Sequence, residues 1–203
     1  MEHVLYINLE HRTDRKKMVE SQFNRMGIFS ECVNAIACPD GRIGCTLSHI
    51  KCLELAKERQ WNQVCICEDD ILFVKPDLFI DNINKLNHTH FEWDVVMLGG
   101  NIGSPNHLKT DYCLRVFNAQ TTTGYIVKYA YYDTLIANFK AGLSNLLKTP
   151  HLHRCYAIDM YWKILQKNDA WYVLYPLSVV QQAGYSDIEY QHVNYERVML
   201  NIN

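Results

Sequence analysis

Short apolar runs alternate with stretches of helical period along most of the chain. His3 to Leu9 is a compact apolar run rich in β-formers and predicts a strand. Thr13 or Asp14 can cap the helix that follows. Its apolar positions Met18, Val19, Phe23 and Met26 fall at helical spacing, and Gly27 closes it. Residues 31–38 predict a second strand, and Pro39-Asp40-Gly41 a turn. Gly44 to Arg59 reads as a helix with Leu47, Ile50, Leu53 and Ala56 on one face. Val64-Cys65-Ile66-Cys67 predicts a short buried strand that runs straight into three acids, then into Ile71-Leu72-Phe73. Pro76 opens a helical stretch to about Leu86, and Asp94 to Leu98 predicts a strand stopped by Gly99-Gly100.

The second half is less regular. Residues 99–111 hold Gly, Pro, Asn and Ser and predict a long loop, a kind that is often functional. Leu114 to Phe117, Thr122 to Val127 and Trp171 to Leu174 predict strands; Tyr129 to Phe139 and Ile158 to Gln166 predict helices. Residues 141–156 fit neither period, and the tail from Gln181 is polar and aromatic without one. Alternating strand and helix predicts an α/β fold with a mostly parallel central sheet. No linker or repeat divides residues 1–203, so a single domain is expected. Ligands of such sheets bind beyond the carboxyl ends of strands. That directs attention to Asn8, to Glu68 through Asp70, and to Gly99 through Asn101.

Composition narrows the function classes. Apolar residues make up 48% and charged residues 21%, which excludes a disordered or fibrous chain. Twenty basic against 22 acidic residues give a net charge of -2, without the basic excess that nucleic-acid binding uses. A phosphorylated ligand would have to be met locally, by a few arginines or a metal. No apolar stretch reaches the roughly 18 residues of a transmembrane helix. The opening MEHVLYINLEHR lacks the basic start and small-residue cleavage site of a signal peptide. The 8 cysteines include no CxxC, and most lie in apolar surroundings. They read as buried thiols of a reducing compartment, so a cytoplasmic location is expected and the sequon Asn87-His88-Thr89 stays unused.

Three segments carry candidate chemistry. Glu68, Asp69 and Asp70 repel one another; at the end of a buried strand they call for a cation, and oxygen ligands suit Mg²⁺ or Mn²⁺. On an exposed turn the same triplet would need none. If the backbone stays extended, Glu68 and Asp70 point to one side and Asp69 to the other. In Ile7 to Arg15, a strand ends in Asn8 and Leu9, then Arg12 and Arg15 sit at a helix start. Asn can bond a base or ribose, and Arg with the helix dipole suits phosphate. A capped helix with solvated arginines explains that pattern equally. In Gly44-Cys45-Thr46-Leu47-Ser48-His49, glycine permits close approach of a ligand, with Ser48 and His49 one turn further in. His151 and His153 have no acid or Cys beside them and read as ordinary surface groups. Most of the 13 tyrosines and 4 tryptophans read as core or rim, although Trp162, Trp171 and Tyr185 lie near candidate site segments around Asp159 and Asp187.

In combination, INLxxRxDR at the start, GCxLSH near residue 45 and EDD after an apolar strand resemble glycosyltransferase family 25. That family includes bacterial lipooligosaccharide galactosyltransferases, collagen-modifying galactosyltransferases and proteins of large viruses. The resemblance continues through Thr121-Thr122-Thr123-Gly124-Tyr125, Ile158-Asp159, Gln181-Gln182 and Tyr185-Ser186-Asp187-Ile188. It implies a Rossmann-like fold of GT-A type and a metal-dependent, inverting transfer of galactose or glucose from UDP-galactose or UDP-glucose. The acceptor would be a hydroxyl of a glycan or protein. The acidic triplet stands where the GT-A DxD motif stands, with Glu as its first acid. The resemblance implies Asp70 as a ligand of Mn²⁺ or Mg²⁺, with Glu68 on the metal or the ribose, and His192 as a late ligand. Asn8, Leu9, Arg12, Arg15, Gly44, Ser48, His49 and Asp69 fall on the nucleotide side. Asp159 is the first candidate for general base, although Asp is also a good helix cap, and Asp187 is the second. Two alternatives stay open. One is a glycosyltransferase-like domain that binds nucleotide-sugar or glycan without transfer. The other is a Mg²⁺-dependent phosphotransfer domain, which would want a late Lys that the sequence does not place.

Overall fold

The computed structural model describes residues 1–186 and 188–202. β1 (Val4–Asn8) is buried at every position, as a strand covered on both faces requires. α1 (Thr13–Arg25) turns Val19, Gln22 and Phe23 inward. Neither Thr13 nor Asp14 caps it: Arg12 holds the cap position without a side-chain capping bond, and Asp14 lies in the first turn, where its charge suits the dipole. β2 (Glu31–Asn34) is shorter than predicted, because the chain leaves the sheet after Asn34. α2 (Gly41–Glu58) begins at Gly41 rather than Gly44, since Asp40 caps it and accepts from the Arg42 N–H at 2.9 Å. β3 (Gln63–Glu68) and β4 (Ile71–Phe73) flank the acids, followed by α3 (Pro76–Asn87) and β5 (Val95–Met97).

The stretch predicted as a loop contains β6 (Asn101–Ile102) and β7 (Asn106–Thr110). β7 is largely exposed and polar, so no apolar alternation marks it. β8 (Cys113–Val116), β9 (Ala119–Gln120) and β10 (Gly124–Lys128) come next. α4 (Tyr132–Lys148) then runs well past Phe139 into the ambiguous segment, which α5 (His153–Tyr156) completes. The single helix predicted from Ile158 is two short ones, α6 (Ile158–Tyr161) and α7 (Lys163–Gln166). They part at Trp162, whose indole N–H donates to Ala119 O at 3.0 Å. β11 (Trp171–Leu174) is followed by a tail with regular structure that its composition hides: β12 (Val179–Gln181), β13 (Gly184–Ser186), β14 (Gln191–Val193) and α8 (Glu196–Met199).

An eight-stranded sheet has the order β2-β1-β3-β10-β5-β11-β8-β7. β1, β2, β3, β5, β11 and β7 run one way, and β10 and β8 run against them. The α/β reading holds, with a mixed sheet whose two reversed strands the alternation of elements does not encode. Apolar cores fill both faces. Ile50 and Leu53 of α2, Leu135 and Phe139 of α4, and Trp162 pack on one. Val19, Phe23, Phe79 and Ile83 pack on the other, against α1 and α3. Each such side chain contributes about 1.5–3 kcal/mol by leaving water. All eight cysteines are free thiols; Cys52, Cys65, Cys67 and Cys113 are buried as expected, whereas Cys155 is exposed. Among the described residues, no helix is long and apolar enough to cross a membrane.

Candidate functional site

The acids after β3 do not stay on an extended backbone. The chain turns directly after Glu68. Asp69 and Asp70 therefore gather together around Arg15, and Glu68 is bonded instead to α2. The expected pairing of Glu68 with Asp70 across Asp69 is thus replaced by a different one. Arg15 Nη1 donates to Asp69 Oδ1 at 2.9 Å and to Asp70 Oδ2 at 3.2 Å, and Nη2 donates to Tyr185 O at 2.7 Å. Asn8 Nδ2 donates to Asp69 Oδ2 at 2.8 Å and to Arg12 O at 3.1 Å. Gln181 Nε2 donates to Asp70 Oδ2 at 2.9 Å, an approach set by the pairing of β12 with β4. Asp70 Oδ1 is buried with no hydrogen-bond partner among the described residues.

Electrostatics follow from this packing. Burial raises the Asp69 carboxyl above its usual range, although Arg15 and Asn8 pull it down. Burial, then the negative charge of Glu68, pushes Asp70 up to about 7 against the pull of Arg15. Burial lowers Arg15, but the charges of Asp70 and Asp69 outweigh it and leave the guanidinium above its ordinary value. The same turn is therefore acid-rich, cation-clamped and still one oxygen short of satisfied.

Glu68 has a different shell. Its Oε1 accepts from Thr122 Oγ1 at 2.6 Å, lies 3.2 Å from His49 Nε2, and takes a weaker bond from Cys45 Sγ at 3.6 Å. A carboxylate only accepts, so Nε2–H donates to it, and Nδ1 lies 3.0 Å from the Tyr125 hydroxyl. Burial raises Glu68, but the donors led by His49 outweigh it and hold the carboxyl below its ordinary value. The Cys45, His49 and Glu68 ligand atoms lie within 4.8 Å of one another, the spacing of a possible metal trio. Burial first, then the charges of Glu68 and Asp159, keeps Cys45 a neutral thiol.

The surface opens in a cleft with two lobes. The first, about 330 Å³, has Leu9, Ile36, Gly44, Asp69, Asp70 and Tyr190 among its walls. Gly44 permits the close seat of α2 against the 35–38 segment, since a Cβ there would stand 2.4 Å from Ile36 O. Ser48 is fully buried and ties the same segment down: Oγ donates to Gly44 O at 2.7 Å and accepts from the Ile36 N–H at 2.8 Å. Arg12 pairs with Asp14 at 3.0 and 3.1 Å. The second lobe, about 500 Å³, is walled by Asn101, Thr121, Thr122, Arg154, Asp159 and Tyr195 among others. Cys45, Glu68, Gln181, Ser186 and Ile188 line both lobes.

Asp159 is half-buried in the second lobe. It does not cap its helix: Ala157 holds that position, and Asp159 Oδ2 accepts from the Thr121 N–H at 3.1 Å. Thr121 has φ of 80°, a left-handed conformation that costs a non-glycine residue about 1 kcal/mol or more. Burial raises the Asp159 carboxyl and the charge of Glu68 adds to this, while the Thr121 amide and Lys163 oppose it. Other sequence-predicted residues fall elsewhere. His192 lies exposed on the β13–β14 hairpin with its ring 5.8 Å from that of Tyr185, outside the lining of both lobes. Asp187 lies outside the described residues. Trp162 and Trp171 are core. Thr122 and Tyr125 hold Glu68 directly and through His49, a role the sequence pattern does not assign them. The run of three threonines before an apolar strand was the available signal.

The chain matches the sequence profile of "Glycosyltransferase family 25 (LPS biosynthesis protein)" over residues 38–143. No curated protein matches it in sequence. Among solved structures it is similar to the glycosyltransferase GlyE of Streptococcus pneumoniae, with TM-score 0.52 and 10% identity over 86% of this chain and 45% of that one. A mannose-1-phosphate geranyltransferase from Thermus thermophilus gives 0.49 and 12% over 86% and 74%. A glycosyltransferase involved in glycosylation of the major capsid of PBCV-1 gives 0.44 and 10% over 85% and 91%. Such likenesses concern fold, and the chain spans less than half of GlyE. The profile covers just over half of this chain, on the segment that holds α2, the acidic turn and Thr121 to Tyr125, and the chain belongs to glycosyltransferase family 25.

Proposed function

We propose that this glycosyltransferase transfers galactose or glucose from a UDP-sugar to an acceptor hydroxyl, with inversion and in one displacement. The observation that carries the reading is the two-lobed cleft, with the acidic turn in one lobe and Asp159 in the other. The first lobe suits the nucleotide. Its mixture of apolar wall and polar groups matches a base and ribose, and Arg15 supplies positive charge for a diphosphate. Asp70, with Asp69 beside it, fits a hard divalent cation: Oδ1 is buried and unpartnered, and carboxylate oxygen is the donor that Mn²⁺ or Mg²⁺ prefers. When bound, such an ion supplies charge neutralisation for the leaving diphosphate.

The second lobe suits the acceptor. Its hydroxyl oxygen attacks the anomeric carbon, the bond from that carbon to the phosphate oxygen breaks, and UDP departs with the electron pair. Asp159 takes the hydroxyl proton. A raised carboxyl pKa favours this role, because the base must hold the proton it receives. Acceptors in this reading are glycans or proteins with a free hydroxyl.

Titration calorimetry of UDP-galactose and UDP-glucose, with Mn²⁺ and again with EDTA, tests the donor site. Binding should need the metal and weaken at least tenfold in Asp70→Asn. Failure of wild type to bind either UDP-sugar with Mn²⁺ present would overturn the UDP-hexose assignment. A domain that binds UDP-sugar but transfers to no acceptor would favour the non-catalytic alternative.

A further inference from the structure

We infer that Glu68 reads the hydroxyls of the transferred sugar and thereby sets donor-sugar preference, rather than holding the metal. The inference rests on the donor reading above and deepens it. Glu68 belongs to the wall common to the two lobes. A sugar in transfer has its nucleotide in one lobe and its anomeric carbon facing the acceptor in the other, so it must lie against that shared wall.

The shell of Glu68 fixes how the carboxylate meets it. Oε1 is taken by the Thr122 hydroxyl, the His49 imidazole and the Cys45 thiol. His49 is itself fully buried and lies 3.0 Å from the Tyr125 hydroxyl, so Oε1 is held by groups that are themselves packed in place. Oε2 has no hydrogen bond among the described residues. One oxygen is thus an anchor, and the other is an acceptor left open on a side chain that lines the cleft. Carboxylates accept well from alcohol O–H groups, and discrimination between epimeric hydroxyls needs a rigid acceptor with nothing else to bond. The acids at Asp69 and Asp70 are built the other way, around a cation-binding turn with Arg15. The anchored oxygen also explains why three potential ligand atoms lie close together here: Cys45 and His49 both meet Oε1.

The test is Glu68→Gln, which keeps shape and can keep the anchor while replacing the free oxygen by an N–H₂ donor. UDP and the two UDP-hexoses are titrated with Mn²⁺, and kcat/KM is measured for both sugars. UDP affinity should stay within about twofold of wild type. Affinity for the preferred UDP-hexose should fall at least tenfold, and the ratio between galactose and glucose should collapse towards one. Thr122→Val is the second variant; it loosens the anchor, and should blur the same ratio while leaving UDP binding unchanged. If Glu68→Gln loses UDP and Mn²⁺ binding together, Glu68 is a metal ligand and the inference is wrong. If UDP and UDP-hexose affinities and the sugar ratio are all unchanged in folded variants, it is also wrong. If wild type binds neither UDP nor UDP-hexose, the donor reading itself falls and takes this inference with it.

Discussion

The two lobes of the cleft handle buried negative charge in opposite ways. In the lobe beside β1, two carboxylates share one guanidinium, and Asn8 and Gln181 add donors from two further elements. In the lobe beside α6, Asp159 has one backbone amide from a strained residue and relies on its own proton affinity. The first arrangement surrounds its carboxyls with a cation and amide donors before any ligand arrives, although burial and Glu68 still push Asp70 up to about 7. The second leaves a raised carboxyl with a single amide donor. Under the proposed function, binding a diphosphate and moving a proton would place those different demands on the same residue type.

The contrast can be broken most severely at Asp159. Asp159→Asn should lower kcat by about 10²–10⁴-fold while UDP-sugar affinity stays near wild type, as expected for loss of a general base. Near-normal turnover would remove Asp159 from the chemistry. Next comes Arg15→Met, which strands Asp69 and Asp70 without their cation. Breaking a largely buried pair of this kind costs about 3–5 kcal/mol, readable in urea unfolding, and added Mn²⁺ should restore part of it. A loss below about 1 kcal/mol would mean that the guanidinium is not what holds the acids.

The pH profile sharpens the difference further. Asp159 must be ionised to accept a proton, so kcat should fall about tenfold per pH unit below a pKa raised above the usual carboxylate range. Stability carries the opposite sign. Between the unfolded and the raised folded pKa, the folded state binds more protons, so this group's contribution is lost as pH rises, and Asp159→Asn should remove that slope. An acid limb unchanged in Asp159→Asn would assign it to another group. The smallest effect is expected at Thr121→Gly, which relieves the left-handed strain but leaves the amide that donates to Asp159. Stability should rise by about 1 kcal/mol with kcat changed no more than a few-fold. A large activity loss would show that the threonine side chain, not its amide, matters.

Much of the first half was legible because its elements obey their periods. β1, α1, β3 and β5 carry apolar signals that survive without knowledge of neighbours. β7 was missed because an exposed edge strand needs no apolar face, and β12 to β14 because their signal is pairing, not composition. The acidic turn was visible as three adjacent letters, but its clamp was not. Arg15 meets Asp69 across 54 positions, and Gln181 meets Asp70 across 111. The side on which each acid faces depended on one local event, the turn after Glu68. An alternation rule for extended chain cannot foresee it.

The end of β12 and the stretch that follows it serve both compartments. Gln181, Ser186 and Ile188 lie on both lobes, and the Tyr190 hydroxyl reaches across to Pro39 O at 3.0 Å. For an engineer, the proposed donor and acceptor sites are therefore not independent dials. A bulkier side chain at Ile188, introduced to retune one substrate, reshapes the room left for the other, so libraries at this stretch have to be screened on substrate pairs.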